Sequence, residues 1–263
     1  DAPYTWRPVA IGGGGFVDGI AFHPAMPSLA YARTDMGGAG ADILKAGDGN
    51  DVMVFDSNDL LIDGGADTDT LRATGNIDLT TLDDGVIQNV EVIDLGNHAG
   101  ADTLTLSSTD VLAINADATL RVTGSTGDQV RLNGEWVQQG PSSGGFTTFT
   151  LNGATVQVQD NVLPVIGGTT GRDELTAKEG SQYLDGGAGS DVLDGGADGD
   201  TIILNNGTNT VLGGAGNDSI TATSGDNTID AGEGTDVITL NGGNNSIQGN
   251  SGTDSITATG GTN

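Results

Sequence analysis

The sequence predicts an all-β fold: a parallel β-roll solenoid of short repeats with an intervening antiparallel β-rich module. A nine-residue repeat stays in phase over the last third of the chain, glycine is abundant at 46 residues, and Asp outnumbers Glu by 31 to 5. Glycine and aspartate favour tight turns over helices. Only 35% of the residues are hydrophobic and 4% aromatic, so the predicted core is thin.

Pattern divides the chain into four segments. We expect an N-terminal leader or cap at residues 1–36, a first repeat block at 37–72, a β-rich spacer at 73–163 and a second roll at 164–263. In the spacer, alternating runs such as 103–106, 119–122 and 154–158 predict half-buried strands. Residues 107–112 suit a short capped helix. Glycines predict hairpins at positions 134, 140, 144, 145 and 153.

The repeat has the pattern G-G-x-G-x-D-x-U-x, where U is a large apolar residue, and its best copies are residues 186–194 and 213–221. Six turn residues and a three-residue strand reverse the chain every nine residues, so two repeats should close one coil with U pointing inward. In the second roll the U positions are Leu175, Leu184, Leu193, Ile202, Val211, Ile220, Ile229, Ile238, Ile247 and Ile256. In the first block they are Leu44, Met53, Ile62 and Leu71, although the copy at 55–63 is degenerate.

These two blocks, which cover about half of the chain, resemble the repeats-in-toxin (RTX) family of bacterial secreted proteins. The resemblance implies several Ca²⁺ ions between turns one coil apart, bound by hard oxygen ligands. The implied carboxylate ligands, at the sixth position, are Asp42, Asp51, Asp69, Asp173, Asp191, Asp200, Asp218, Asp236 and Asp254. The implied backbone carbonyl ligands, at the first and third positions, are Gly186, Ala188, Gly195, Ala197, Gly213, Ala215, Ala231, Glu233 and Gly249.

Turns on one side of such a roll are two repeats apart, which separates the sixth positions into two columns. One column contains Asp200, Asp218, Asp236 and Asp254, and the other contains Asp173, Asp191, Asn209, Asn227 and Asn245. We therefore expect calcium mainly along the first edge and a ladder of side-chain amides along the second. Carboxylates stacked about 5 Å apart repel by roughly 3 kcal/mol at an effective dielectric of 20. The roll is therefore predicted to stay unfolded in calcium-poor cytoplasm and to fold outside the cell.

Residues 1–39, including the runs 4–9, 11–17 and 31–39, resemble the start of the xyloglucan-hydrolysing β-propeller glycoside hydrolases. In that family the residue matching Asp35 is the catalytic base, which makes Asp35 a weak catalytic candidate. Inversion needs a second carboxylate across a cleft, and the propeller that would supply it has no trace here, so we predict no enzyme. The segment is a fused or shuffled leader, a cloning artefact or a residual enzyme motif, and residues 17–32 are expected to form strands that cap the first roll.

The net charge of −28 disfavours nucleic acid and anionic membranes and favours divalent cations. The chain has no cysteine, no apolar stretch long enough for a membrane span, and neither the H-E-x-x-H nor the G-x-S-x-G motif. His98 is interpreted as a surface residue. Trp136, Phe146 and Phe149 suit either core anchors or a face that binds a cell-surface glycan.

These features predict a secreted, extracellular calcium-binding protein at the bacterial cell surface. Its role would be structural or adhesive, as an adhesin stalk, a surface-layer piece or a matrix filament, with self-association through open strand edges. The export signal is expected to be removed or to lie beyond this chain. Two alternatives stay open: an accessory region or fragment of a secreted xyloglucanase-like hydrolase, and a calcium-triggered secretion module.

Overall fold

A computed structural model describes residues 20–22, 30–32, 41–96, 100–177 and 180–262. These residues are mostly strands and turns, which confirms the all-β prediction. The helical segments in this part of the chain are a 3-10 helix at Leu79–Thr81 and α1 at Ser108–Ile114. The strands are β1 (Ile20–Phe22), β2 (Ala30–Ala32), β3 (Ile43–Asp48), β4 (Val52–Val54), β5 (Leu61–Ala66), β6 (Thr70–Arg72), β7 (Ile77–Asp78), β8 (Ile87–Gln88), β9 (Val92–Asp94), β10 (Thr103–Ser107), β11 (Thr119–Thr123), β12 (Gln129–Asn133), β13 (Val137–Gln138), β14 (Phe146–Leu151), β15 (Ala154–Gln159), β16 (Leu163–Gly167), β17 (Glu174–Thr176), β18 (Tyr183–Asp185), β19 (Val192–Asp194), β20 (Thr201–Leu204), β21 (Thr210–Ala215), β22 (Ser219–Ala222), β23 (Thr228–Gly234), β24 (Val237–Leu240), β25 (Ser246–Gln248), β26 (Ser251–Gly252) and β27 (Ser255–Ala258).

Parallel sheets stack the coils of the solenoid. The longest sheet has nine strands in the order β27-β24-β22-β20-β18-β16-β12-β10-β7. Facing it in the second roll is the sheet β17-β19-β21-β23-β25, with β26 also paired to β23. Ile202 pairs with Ile220, and Ile220 pairs with Ile238, so equivalent residues recur after two repeats. This register confirms that two repeats close one coil.

The core is a column of inward-pointing apolar side chains. The U positions from Leu175 to Ile238 are almost completely buried, as are the four U positions of the first block. Towards the end of the chain Ile247 is only partly buried and Ile256 is 48% exposed. One continuous hydrophobic cluster runs from Leu44 to Leu240. The predicted thin interior is therefore a single ribbon shared by all coils.

The spacer differs from the prediction in how its strands pair. Its strands β7, β10, β12 and β16 lie parallel in the nine-stranded sheet, and β9, β11 and β15 extend the parallel pair β4–β6. Antiparallel pairing within the spacer is confined, among the residues the structure describes, to β13–β14–β15 and an isolated bridge between Ser143 and Phe146. Side-chain alternation reports which face of a strand is buried and does not report the direction of its neighbour. The boundaries at 72/73 and 163/164 stay predictions, and one core crosses both.

Most of the predicted helix-capping and turn features of the spacer are present. The helix α1 begins with a capping box in which Ser107 and Asp110 bond reciprocally. Gly153 has a positive φ of 91° and lies in the tight turn between β14 and β15. Both features were predicted from turn and capping residues alone. The predicted hairpin at Gly134 is wrong, because Gly134 lies between β12 and β13, which belong to different sheets.

The N-terminal segment is described only at β1 and β2, which pair antiparallel. Asp35 and His98 lie outside the described residues. Strands within 17–32 are therefore present, and their proposed capping of the first roll stays a prediction. Across the described ranges, no helix has the length and apolar character needed to cross a membrane.

Candidate calcium-binding edges

The sixth-position residues lie at the two edges of the roll, each just before a strand. Turns that enter the nine-stranded sheet end in Asp200, Asp218, Asp236 and Asp254. Turns that enter the facing sheet end in Asp173, Asp191, Asn209, Asn227 and Asn245. The fold thus separates the two columns that the sequence spacing predicted, and we call them the aspartate edge and the asparagine edge.

Hydrogen bonds fix each carboxylate of the aspartate edge to the neighbouring coil. The backbone N–H of Asp200 donates to Oδ1 of Asp218 at 2.8 Å, and that of Asp218 donates to Oδ1 of Asp236 at 2.9 Å. The N–H of Asp236 donates in turn to Asp254 at 3.1 Å. Asp200 and Asp236 are 2% and 0% exposed. Asp200, Asp218 and Asp236 therefore form a buried ladder of carboxylates in fixed positions, and Asp254 at its end is half-buried.

The second oxygen of these carboxylates has no hydrogen-bond partner. Oδ2 of Asp200, Asp218 and Asp236 is buried and accepts no hydrogen bond, and the same holds for Asp191. A buried charged oxygen without a partner is strongly unfavourable unless a cation or a proton compensates it. These atoms are thus the part of the fold that needs a ligand.

Backbone carbonyls converge on the same places. A point at the ideal Cβ position of Gly195 lies 2.6 Å from Asp200 Oδ2 and 2.5 Å from the carbonyl oxygen of Gly213. At Gly213 the same point lies 2.6 Å from Asp218 Oδ2 and close to the carbonyl oxygen of Ala231. Carboxylate and carbonyl oxygens from consecutive coils are the ligands Ca²⁺ prefers. The residues present therefore fit calcium at this edge.

The ligand set must be mixed. In the part of the chain that the structure describes, no group of three or more Asp, Glu, His or Cys side chains is arranged to hold a metal ion. Backbone oxygens would have to complete the coordination of each pair of stacked carboxylates. When bound, calcium would supply the positive charge that holds the carboxylates of adjacent coils together.

Burial changes the protonation of these groups. The pKa of Asp200 is raised to about 7, chiefly by burial; the Gln182 N–H lowers it, and the neighbouring charges of Asp218 and Asp198 contribute to the rise. Burial also raises the pKa of Asp218 and Asp191. Without a cation, the ionised forms of Asp200 and Asp218 are therefore disfavoured.

The asparagine edge has a different hydrogen-bond pattern. Nδ2 of Asn209 donates to Oδ1 of Asn227 at 2.9 Å, and Nδ2 of Asn227 donates to Oδ1 of Asn245 at 3.0 Å. The structure thus contains the amide ladder that the sequence predicted. At the start of this column, Oδ2 of Asp173 accepts from the N–H of Thr169 at 2.8 Å, so Asp173 is better satisfied than Asp191.

The first block repeats the arrangement with fewer members. The N–H of Asp51 donates to Oδ1 of Asp69 at 2.8 Å, and both carboxylates are almost fully buried. Burial raises the pKa of Asp51, and burial with the nearby Glu91 charge raises that of Asp69 to about 6. Asp42 is half-buried and has one buried oxygen without a hydrogen bond.

The predicted carbonyl ligands lie in stacked turns, and their metal contacts stay predictions. Gly186 O lies beside the Cβ position of Gly168, and Gly249 lies against Asp254 Oδ2. Ala188 pairs with Asn206 in an isolated bridge, and Ala197 pairs with Ala215. The carbonyl of Glu233 already accepts a hydrogen bond from Gly216 N–H at 2.7 Å.

Sequence reasoning missed acidic residues that extend the ladders into the spacer. The N–H of Asp69 donates to Oε2 of Glu91 at 2.8 Å, and that of Asp102 donates to Oδ1 of Asp128 at 2.9 Å. Each acidic residue lies two positions before an inward apolar residue, as in Asp128 and Val130. That short pattern was available, but a search for a fixed nine-residue period passes over it.

The aromatic residues of the spacer are mainly core. Trp136 and Phe149 are fully buried, which confirms their interpretation as core anchors and removes them from any glycan-binding face. Phe146 is half-buried beneath the Arg121 guanidinium, whose carbon lies 4.8 Å from the ring centre. This geometry is a cation–π contact.

Comparison with known families finds the RTX calcium-binding nonapeptide repeat in four copies, at residues 36–59, 167–202, 203–238 and 231–263. These segments contain the aspartate edge and the start of the first block. No solved structure matches the chain.

Comparison with individual proteins finds short matches to xyloglucanases. A xyloglucanase of Hypocrea jecorina is 58% identical and one of Paenibacillus is 60% identical, each over 38 residues. An oligoxyloglucan-reducing end-specific xyloglucanase of Emericella nidulans is 51% identical over 35 residues. Each match covers only 4% of the relative and 13–14% of this chain. The likeness agrees in length with the resemblance noted for residues 1–39.

Proposed function

From the RTX calcium-binding nonapeptide repeats that this chain carries, we propose that it is a secreted structural protein that folds around calcium outside the cell. Its solenoid would act in adhesion or surface assembly at a bacterial surface. The observation that carries the proposal is the row of buried carboxylates at Asp200, Asp218 and Asp236, each with one oxygen that lacks a partner. Such a row requires cations to be stable at neutral pH.

The energetics link folding to location. Stacked carboxylates oppose the thin apolar core, since burying one Leu contributes only about 1.5–3 kcal/mol. Extracellular calcium modules bind with dissociation constants of roughly 0.1–1 mM, which suits millimolar calcium outside cells and leaves the sites empty in the cytoplasm. The unfolded chain would thus be competent for export and would fold on arrival.

The shape of the molecule supports a structural role. The described coils form one stack with a shared core, and a solenoid of this kind offers length and a regularly repeated surface. The same stack would also serve a secretion module, so the assembly state of the protein is the property that separates the two roles.

Sedimentation velocity of the purified chain tests this proposal. We expect a slowly sedimenting, expanded monomer in chelator and a compact species in about 5 mM calcium, a concentration above the range of extracellular modules. Magnesium at the same concentration is the control. Large defined assemblies in calcium would support surface assembly, a compact monomer would favour a secretion module, and identical sedimentation in both conditions would contradict calcium-dependent folding.

The xyloglucanase matches favour a second candidate, an accessory role beside a glycoside hydrolase. In this role residues 1–39 would belong to the catalytic region of the hydrolase, and the repeats would assist export and folding of that region. Co-sedimentation with insoluble xyloglucan and release of reducing sugar test it, with Asp35→Asn as the control. Activity that D35N abolishes would support this candidate, and no binding or release would oppose it.

A further inference from the structure

We propose a further calcium site at the junction of the first block and the spacer, formed by the carboxylates of Asp69 and Glu91 and the backbone carbonyl of Asn89. It rests on the proposed calcium-dependent folding and adds ligands from a region without repeats. None of its members lies in a segment that matches the repeat family, whose first copy ends at residue 59.

The unpartnered oxygen is the first observation. Asp69 is 0% exposed, and its Oδ1 accepts the hydrogen bond from Asp51 N–H. Its Oδ2 is buried without any hydrogen bond. The environment of Asp69 is therefore that of Asp200 and Asp218 on the aspartate edge.

The surroundings of this oxygen match those of the repeats. A point at the ideal Cβ position of Gly64 lies 2.6 Å from Asp69 Oδ2 and close to the carbonyl oxygen of Asn89. Gly64 and Asp69 hold the first and sixth positions of their repeat, so Asn89 replaces the first-position carbonyl of the next coil. Asn89 adopts φ of 51°, and its side chain donates to Asp63 Oδ1 at 2.7 Å, which fixes that carbonyl.

Glu91 supplies the second carboxylate. It lies 22 residues after Asp69, not 18, and its Oε2 accepts the Asp69 N–H at 2.8 Å. The register of β6 and β9 pairs Thr70 with Val92, so Glu91 stands directly beside Asp69 in the next coil. The longer interval explains why the nine-residue period does not reveal it.

Asp128 occupies an equivalent ladder position but has no features of a calcium site. Its Oδ1 accepts from Asp102 N–H, but its Oδ2 accepts from Ser125 N–H at 2.6 Å. A point at the ideal Cβ position of Gly124 lies 2.8 Å from Asp128 Oδ2 and 2.8 Å from a methyl group of Val162. A methyl group therefore takes the place that a carbonyl oxygen has beside Asp69. Asp128 is therefore satisfied by the protein, whereas Asp69 is not.

Ion counting by native mass spectrometry of the full chain in calcium tests the site. Glu91→Gln keeps an oxygen acceptor for the Asp69 N–H and removes the charge, so we expect it to bind one ion fewer than the wild type. Glu174→Gln, at an exposed position on β17, removes one charge elsewhere and should keep the full count. Asp69→Asn should also lose an ion, and Asp128→Asn should not.

A full count in E91Q overturns the proposal. Asp218→Asn separates this outcome from failure of the proposed function: if D218N loses an ion while E91Q does not, only the junction site is lost. A wild type that binds no calcium contradicts both.

If E91Q does not fold, anomalous diffraction from a crystal of the wild type grown in calcium tests whether the junction site binds an ion. An anomalous peak at about 2.3–2.6 Å from Asp69 Oδ2 and Asn89 O supports the site. Its absence, with a peak present at Asp218, overturns it.

Discussion

At the scale of single residues, the two edges differ in one terminal atom of the sixth-position side chain, which is Oδ2 in aspartate and Nδ2 in asparagine. Asp218 and Asn227 both accept a backbone N–H through Oδ1. In Asp218 the remaining oxygen has no partner, whereas Nδ2 of Asn227 donates to Asn245 and to the Gly225 carbonyl. One edge therefore needs a cation or a proton to compensate its carboxylates, and the other is stabilised by hydrogen bonds within the chain.

Exchanging these two side chains should shift the calcium dependence in opposite directions. Asp218→Asn should raise the free energy of unfolding in chelator, because it removes a repelled charge and adds an amide donor. In calcium the same variant should lose about 1.5–3 kcal/mol, the value of a hydrogen bond to a charged group, here taken as a guide to the lost metal contact. The folded fraction in chelator, from far-ultraviolet circular dichroism, measures the first effect, and urea unfolding in calcium measures the second.

Asn227→Asp is the matched reverse exchange. It places a charge in the amide ladder and should lower stability in chelator, with partial recovery in calcium. Equal effects of the two variants in chelator would contradict this account of the edges.

The raised pKa values predict an unusual pH dependence. Folded Asp200 has a pKa of about 7 and folded Asp69 one of about 6, above the ordinary value of 3.8. The metal-free folded state therefore binds more protons than the unfolded chain, so these groups stabilise it below about pH 4 and the stabilisation is lost as pH rises towards 7. Calcium needs the ionised carboxylates, so its affinity should fall as pH falls over the same window.

The folded fraction in chelator and the thermal midpoint in calcium, each followed from pH 4 to 8, measure this. We expect opposite slopes in the two conditions for the wild type. The slope in chelator should be shallower in Asp200→Asn, and parallel slopes for the wild type in both conditions would refute the assignment.

Sequence spacing predicted which residues form the carboxylate columns, but it did not predict which carboxylate oxygens receive hydrogen bonds. The period places Asp173 and Asp191 in equivalent positions, yet only Asp173 receives the Thr169 N–H. The repeat pattern does not reveal Glu91 and Asp128, because they lie 22 and 26 residues after Asp69 and Asp102, their partners in the ladder. A ladder contact depends on strand register, and insertions in turns change the sequence interval without changing that register.

At the scale of elements, the turns stack as closely as the strands. Gly225 has φ of 91°, and a Cβ there would collide with the Gly207 carbonyl of the adjacent coil. Gly140, with φ of 69°, lies in the spacer hairpin with no atom within 4 Å of its Cβ position. The first glycine is required by φ and by close approach, the second by φ alone.

Alanine substitution should distinguish these requirements. Gly140→Ala should cost about 1–2 kcal/mol, the usual penalty for a left-handed residue with Cβ. Gly225→Ala should lower the free energy of unfolding by clearly more, because the adjacent coil that carries the Gly207 carbonyl must also move. Urea unfolding in calcium measures the difference, and equal costs would mean that turn stacking contributes little.

For the spacer, the sequence predicted the positions of the strands correctly, but most of the strands pair parallel and not antiparallel as predicted. The runs at 119–122 and 154–158 became β11 and β15, which are parallel neighbours in one sheet. Parallel pairing needs a crossover between strands, and α1 and the β13–β14 hairpin occupy such connections. These insertions hide the coil period while leaving the solenoid intact.

At the scale of the whole molecule, the spacer and the rolls share one structure. The nine-stranded sheet passes from β7 in the spacer to β27 in the second roll without a break. The Arg131 guanidinium of β12 pairs with the Asp185 carboxylate of β18 at 2.8 Å, which ties the spacer to the roll on the outer face of this sheet. Folding of the repeats should therefore be coupled to folding of a spacer in which most strands belong to no repeat.

Trp136 reports on that coupling. It is fully buried in the spacer, and its indole N–H donates to the Asn133 carbonyl at 3.1 Å. Trp6→Phe leaves it as the single tryptophan of the chain. We expect calcium to shift Trp136 emission to shorter wavelength at the same concentration that changes the far-ultraviolet circular dichroism, and Asp218→Asn in the distant roll to move both midpoints together. Native-like Trp136 emission in chelator would instead show that the spacer folds alone and that calcium organises only the rolls.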